Sequence, residues 1–129
     1  MQRPTIRISQ SGSALLASQI SELCSINPSA QLPSFFEYVD LESVVGTEMI
    51  NHRKEYKAIA PSRAQRLASF GDIFYQMVRP YQKNNYLFER EEGHYVFSTG
   101  YAQLRPYINS RYLFCLLQSN TFVAEVIKN

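Results

Sequence analysis

Apolar residues recur at helical spacing near both ends of the chain and alternate in short runs between them. Leu15, Leu16, Ile20 and Leu23 fall near i, i+4, i+7/8, which predicts a short helix over residues 14–24, with Ser11 or Ser13 as its cap. Residues 1–12, before it, are polar and predict a loosely held segment. Asn27-Pro28-Ser29 and Pro33-Ser34 mark bends. Residues 36–41 alternate as a strand, and Val44-Val45 extend it toward a turn at Gly46. Residues 46–60 are polar and read as a loop or hairpin tip; Pro61-Ser62 opens a new element. Gly71-Asp72 is a turn before a strongly β-prone run, 73–78, which Arg79-Pro80 ends. A turn at Lys83-Asn84-Asn85, a short strand at 86–88 and an acidic turn at 89–93 follow. Residues 95–104 read as one long strand interrupted at Gly100, a bulge or a close backbone approach, and Pro106 ends it. Asn109 or Ser110 caps a last helical region, with stripes at Tyr112, Leu113, Leu116, Leu117 and then Phe122, Val123, Val126, Ile127, broken near Ser119-Asn120. Helix, several short strands, helix predicts an α+β domain: a small twisted, mostly antiparallel sheet flanked by an N-terminal and a C-terminal helix.

The length of 129 residues fits one domain spanning the whole chain, large enough to bury a core without staples. With 45% hydrophobic and 19% charged residues, the composition is globular rather than disordered. The net charge of +2 excludes a general polycation, but its distribution is uneven. Residues 1–60 hold five Lys/Arg against six Asp/Glu; residues 61–129 hold eight against five. Within 61–88, Arg63, Arg66, Arg79 and Lys83 face the single acid Asp72. Such a stretch suits a phosphate-contacting groove, and equally an ordinary solvated surface. No secretory signal pattern and no apolar run of ~18–20 residues is present, which predicts a cytoplasmic location.

Catalytic constellations are missing from the sequence. Cys24 and Cys115 form no C-x-x-C pair and have no neighbouring histidine; Cys115, in an apolar run, reads as a small core residue. His52 and His94 lack metal-motif partners and read as surface histidines. There is no G-x-S-x-G elbow, no phosphate-binding glycine loop and no Asn-Pro-Pro-Tyr-type methyltransferase motif. Asp40 and Glu42, two apart on a predicted strand, share a face as a nuclease pair would, with Asp72 as a third acid, but no lysine stands at short spacing. A solvated strand face accounts for them as well. No enzyme activity and no cofactor are expected.

Four blocks follow one another in a distinctive order. They are Leu23-Cys24-Ser25-Ile26-Asn27-Pro28; Tyr38-Val39-Asp40-Leu41-Glu42-Ser43; Ala60-Pro61-Ser62-Arg63-Ala64-Gln65-Arg66 with Gly71-Asp72-Ile73 and Val78-Arg79-Pro80-Tyr81; and Ser98-Thr99-Gly100-Tyr101 through Gln103-Leu104-Arg105-Pro106 to Tyr112-Leu113-Phe114. As a set, over residues 20–129, they resemble the target-recognition domain of type I restriction-modification specificity subunits. The resemblance implies a non-catalytic, sequence-specific DNA-binding domain that reads half of a split target. Such a domain is followed by a long spacer helix and works with modification (methyltransferase) and restriction subunits, alongside a second recognition domain or as a homodimer. This chain ends at Asn129, where the family continues into that helix, so one recognition domain without its spacer is expected.

The residues expected to meet DNA are Ser62, Arg63, Gln65, Arg66, Arg79, Lys83, Asn84, Asn85, Ser98, Thr99, Tyr101 and Arg105. Arginine and lysine suit phosphate, arginine also suits guanine, and Asn or Gln suits adenine. Arg79 precedes proline and is therefore expected in extended geometry. Each has a plainer role open to it: Arg63 pairing with a local acid, Arg79 fixing a strand end, Ser98-Thr99 forming a turn, Tyr101 packing in the core. The polar stretch 46–57 is a candidate base-reading loop or simply surface. The alternative to DNA reading is a protein-interaction module, a truncated half-subunit docking a modification subunit through its apolar C-terminal helix.

Overall fold

The computed structural model describes residues 19–119. The expectations for residues 1–12 and for the second C-terminal stripe, and most of the predicted first helix, lie outside them.

The domain is built from two four-stranded sheets and a small ribbon. The strands are β1 (Cys24–Ile26), β2 (Phe35–Val39), β3 (Val44–Val45), β4 (Glu48–Met49), β5 (Arg53–Tyr56), β6 (Ala64–Leu67), β7 (Ile73–Gln76), β8 (Tyr86–Leu87), β9 (Tyr95–Ser98) and β10 (Tyr101–Pro106). The first sheet is antiparallel in the order β1-β10-β7-β8, and the second runs β5-β2-β9-β6 with β2 and β9 parallel. β3 and β4 form a separate ribbon. The α+β class is thus as expected, with two sheets in place of one.

Side chains alternate across each strand, and the central strands are buried on both faces. From β7, Ile73 and Tyr75 point into a core with Cys24, Leu104, Leu113 and Leu117, beneath the helix Ser110–Leu117. Phe74, between them, points the other way, into a core with Val39, Phe97 and Tyr101 between the two sheets. There Phe74 and Phe97 stack with ring centroids 3.7 Å apart, and Tyr101 meets both edge-on. From β9, Phe97 enters this middle core while Val96 joins Phe36, Tyr38 and Ala64 on the far face of the second sheet. Burial lifts the Tyr75 hydroxyl to about 12 and the Cys24 thiol to about 11, because the charged forms would lose their water. The C-terminal helix starts where expected, with Asn109 Oδ1 accepting from Tyr112 N–H at 2.8 Å.

Several expectations are corrected. Residues 95–104 are not one strand: β9 lies in the second sheet, β10 in the first, and Thr99-Gly100 turns the chain between them. Gly100 is indeed a close approach, since a Cβ there would lie 2.6 Å from Leu41 Cδ1. The polar stretch 46–60 is no plain loop but contains β4 and β5; β5 is an edge strand, so it keeps charged side chains and still pairs with β2. Val44-Val45 do not extend β2. Asp40 caps a single 3-10 turn, Leu41–Ser43, accepting from Glu42 N–H, so Asp40 and Glu42 share no strand face. The first helix is over by residue 21, and Leu23 C=O instead accepts from Tyr107 N–H. Cys115 is exposed rather than core, because it lies two residues from both buried Leu113 and Leu117 and so faces away from them.

Candidate nucleic-acid interface

Register fixes which loops meet. β2 and β9 end, and β5, β6 and β10 begin, at the same end of the two sheets, and β7 arrives there at Gln76. Backbone hydrogen bonds stitch the turns at this end together. Thr99 N–H donates to Arg63 C=O (2.9 Å), and Met77 N–H donates to Gly100 C=O (3.1 Å). The turn before β6, the β9–β10 turn and the β7–β8 loop therefore form one continuous rim.

The β7–β8 loop is braced from inside. Asn85 is buried; its Oδ1 accepts from Gln76 N–H (2.7 Å) and its amide donates to Gln118 Oε1. Gln118 also donates to Lys83 C=O (3.3 Å), tying the loop to the end of the helix. Gln76 and Asn84 both donate to Gln82 Oε1. A 3-10 turn, Pro80–Gln82, stands between two residues in the left-handed region, Arg79 (φ 53°) and Lys83 (φ 55°). Arg79 is thus not extended as the following proline predicted; the braced turn overrides the local preference. Met77, Val78 and Tyr81 are exposed beside it.

The arginines divide sharply. Arg53 bonds Asp40 and Glu55, Arg90 bonds Tyr86 and Tyr95, Arg105 bonds Asp72 and Ser69, and Arg111 bonds Glu89. Carboxylate hydrogen bonds hold Arg53, Arg105 and Arg111 more firmly protonated than usual. Arg63 and Arg79 are exposed, and neither guanidinium has a partner among the described residues. Arg66, on β6 opposite Phe97, has its Nε buried without a partner. The local acid considered for Arg63 is therefore absent among the described residues.

Of the residues expected at a DNA surface, the rim brings together Ser62, Arg63, Thr99, Arg79, Lys83 and Asn84, with Gln65 donating to Ser62 C=O (2.7 Å). Three others lie inside. Tyr101 is fully buried and donates to Asp40 C=O (3.0 Å); burial, and then the Asp40 charge, raise its pKa. Buried Ser98 accepts from Gly100 N–H (3.1 Å), and Asn85 braces the loop. Arg105 stands at the opposite end of β10, paired to Asp72. What these four lack as surface residues they supply as scaffold. The ribbon tip Gly46-Thr47, within the polar stretch 46–57 that the sequence offered as a base-reading loop or plain surface, joins the rim through Gly46 N–H, which donates to Asn84 Oδ1 (2.9 Å).

At the far end Asp72 is the polar centre. Its buried carboxylate accepts from Arg105 Nε (2.9 Å) and Nη2 (3.0 Å), from Gln103 Nε2 (2.8 Å) and from Ser69 N–H (2.8 Å). Gln103 N–H donates to Asn27 Oδ1 (2.8 Å), and Asn27 takes a left-handed φ of 50° to accommodate this. The Asn-Pro, Gly-Asp-Ile and Gln-Leu-Arg-Pro blocks thus meet in one network. Among the described residues no three His, Cys, Asp or Glu side chains gather around Asp72 or elsewhere as a metal ion would need.

No protein-family model matches the chain, and no curated protein does. Solved structures do. The crystal structure of the HsdS subunit from Thermoanaerobacter tengcongensis aligns at 26% identity with a TM-score of 0.67. A chain from a structure concerned with complex assembly and conformational transition of the type I R-M system aligns at the same 26% identity and TM-score of 0.67. Each alignment covers 78% of this chain and 28% of the other, so this chain matches little more than a quarter of those proteins' length. The likeness to a target-recognition domain of type I specificity subunits, read above from four sequence blocks, therefore extends to the fold.

Proposed function

We propose that this domain binds duplex DNA through the Arg63–Arg79 rim, as the target-recognition unit of a type I restriction-modification specificity subunit in the cytoplasm. It performs no chemistry; it directs methylation and restriction by partner modification and restriction subunits. One observation carries the proposal. Where four other arginines are paired inside the molecule, Arg63 and Arg79 present unpaired guanidiniums on turns held in register by backbone hydrogen bonds. A guanidinium with no internal partner is free for paired hydrogen bonds to phosphate or guanine. Ser62, Gln65, Arg66, Lys83, Asn84 and Thr99 flank them; Asn85, Ser98, Tyr101 and Arg105 hold the rim's shape from behind.

The test is selection from a randomised duplex pool at two salt concentrations. The expected result is enrichment of a short motif, with binding that weakens with salt. Arg63→Ala and Arg79→Ala each lower affinity and reduce the salt slope by about 1. A folded protein that retains no duplex at low salt overturns the proposal.

A second reading, docking of a modification subunit, rests on a different surface. Phe70, Tyr107, Ile108 and Tyr112 are exposed around the start of the C-terminal helix, where Gly71 approaches Ser110. Loss of co-purification with a modification subunit in Phe70→Ser or Tyr112→Ser, with DNA binding intact, distinguishes the two surfaces.

A further inference from the structure

The β3–β4 ribbon is the part of the rim whose side chains the binding proposal leaves unused. It belongs to neither sheet. Val44 and Met49, directly opposite each other, pack toward the middle core, so their neighbours Val45 and Glu48, also opposite each other, point to solvent. Gly46, at φ 66°, starts the tight turn, and Thr47 completes it. A ribbon this short does not hold itself together in water. It is held by Ile50 N–H donating to Ser43 C=O (2.7 Å) at its base and by the Gly46–Asn84 bond at its tip.

Thr47 and Glu48 are exposed, and neither side chain has a partner among the described residues. An unpaired carboxylate on a ribbon whose tip bonds the loop that carries Arg79 is out of place on a surface that only grips phosphate, which would repel it. It has a use deeper in DNA. The major groove admits a two-stranded ribbon, cytosine presents its N4 amino group there as a donor, and thymine presents a methyl group. From the pinned ribbon, its solvent-facing pair and its unpartnered acid, we infer that the β3–β4 tip enters the major groove and determines specificity. Glu48 accepts from a cytosine amino group, and the Thr47 methyl packs on a thymine methyl. Arg63 and Arg79 anchor the domain on the flanking backbone. This inference rests on the duplex-binding reading above.

The experiment repeats the randomised-duplex selection with the full chain and its Glu48→Gln and Thr47→Ser variants, measuring affinity for a random duplex and its salt slope alongside. The expected result is that Glu48→Gln relaxes or changes the preferred base at one motif position, where discrimination falls by roughly tenfold. Thr47→Ser does so more weakly at a neighbouring position. Random-duplex affinity and the salt slope do not fall in either. Variants that enrich the same motif with the same discrimination overturn the inference and leave the binding reading standing; so does a uniform loss of affinity on all sequences. A wild-type protein that selects nothing overturns the binding reading, and this inference with it.

Discussion

At one end of the sheets Arg105 lies along a carboxylate with no exposure at all, and every oxygen of that carboxylate is bonded. At the other end Arg63 and Arg79 carry the same charge with nothing inside the protein to meet it. The residue type is identical and the consequence opposite. A charge satisfied internally fixes the chain; a charge left open on a fixed chain is available to something else. The contrast separates scaffold from candidate surface more cleanly than overall charge does, since the chain carries only +2.

The comparison is broken most forcefully at Asp72. Replacing it with alanine leaves Gln103 Nε2 with Leu67 C=O as its one remaining acceptor and removes the acceptors of Ser69 N–H and of part of Arg105. The expected loss is about 3 kcal/mol of unfolding free energy, read as a lower denaturant midpoint. Arg105 is partly exposed and can rehydrate, which keeps the loss at the low end for a broken buried pair. A loss below about 1 kcal/mol would mean that the network is not what joins Asn27, Asp72 and Gln103.

That network also explains what was legible from sequence. The Asn-Pro, Gly-Asp-Ile and Gln-Leu-Arg-Pro runs belong to the blocks that carried the family resemblance, and they prove to be scaffold: each places a polar group the others need. Strands rich in β-branched and aromatic residues, β7 above all, were readable because both of their faces are buried. β5 was missed because an edge strand needs no apolar face, and its Arg-Lys-Glu-Tyr sequence looks like loop. The split of residues 95–104 between two sheets was invisible because both halves are strand and only the partners differ. For the candidate surface, Arg63 and Arg79 stood out as charges. Nothing in a linear sequence distinguishes them from Arg105, whose partner lies 33 residues away.

The scaffold has a pH signature. The Cys24 thiol is raised from 9.0 to about 11 by burial, and Tyr75 from 10.0 to about 12. Both are neutral acids whose charged forms the fold disfavours. Their contribution is fully present below pH 9 and is lost as pH rises through about 11 for Cys24 and about 12 for Tyr75. Stability should fall by about 2 kcal/mol across the Cys24 window, and Cys24→Ala should flatten the profile between pH 9 and 11. An unchanged slope in that variant would remove Cys24 as the source and leave Tyr75, in the same core.

The smallest effect on stability sharpens the contrast most, because it separates backbone from charge at a single residue. Arg79 has a left-handed backbone before proline, a conformation that a Cβ disfavours and glycine accepts. Arg79→Gly relieves that strain while making the unfolded chain more flexible, so the net change in stability stays within about 1 kcal/mol. Arg79→Ala keeps the strain and loses no internal hydrogen bond, since the guanidinium makes none among the described residues, and it moves stability by about 0.5 kcal/mol or less. If the guanidinium acts outward, both variants lose duplex affinity equally despite their different backbones. Equal loss with Arg79→Lys partly retained assigns the effect to charge at the rim. A loss in alanine that glycine restores would instead assign it to the shape of the loop, and Arg79 would then join Arg105 as scaffold.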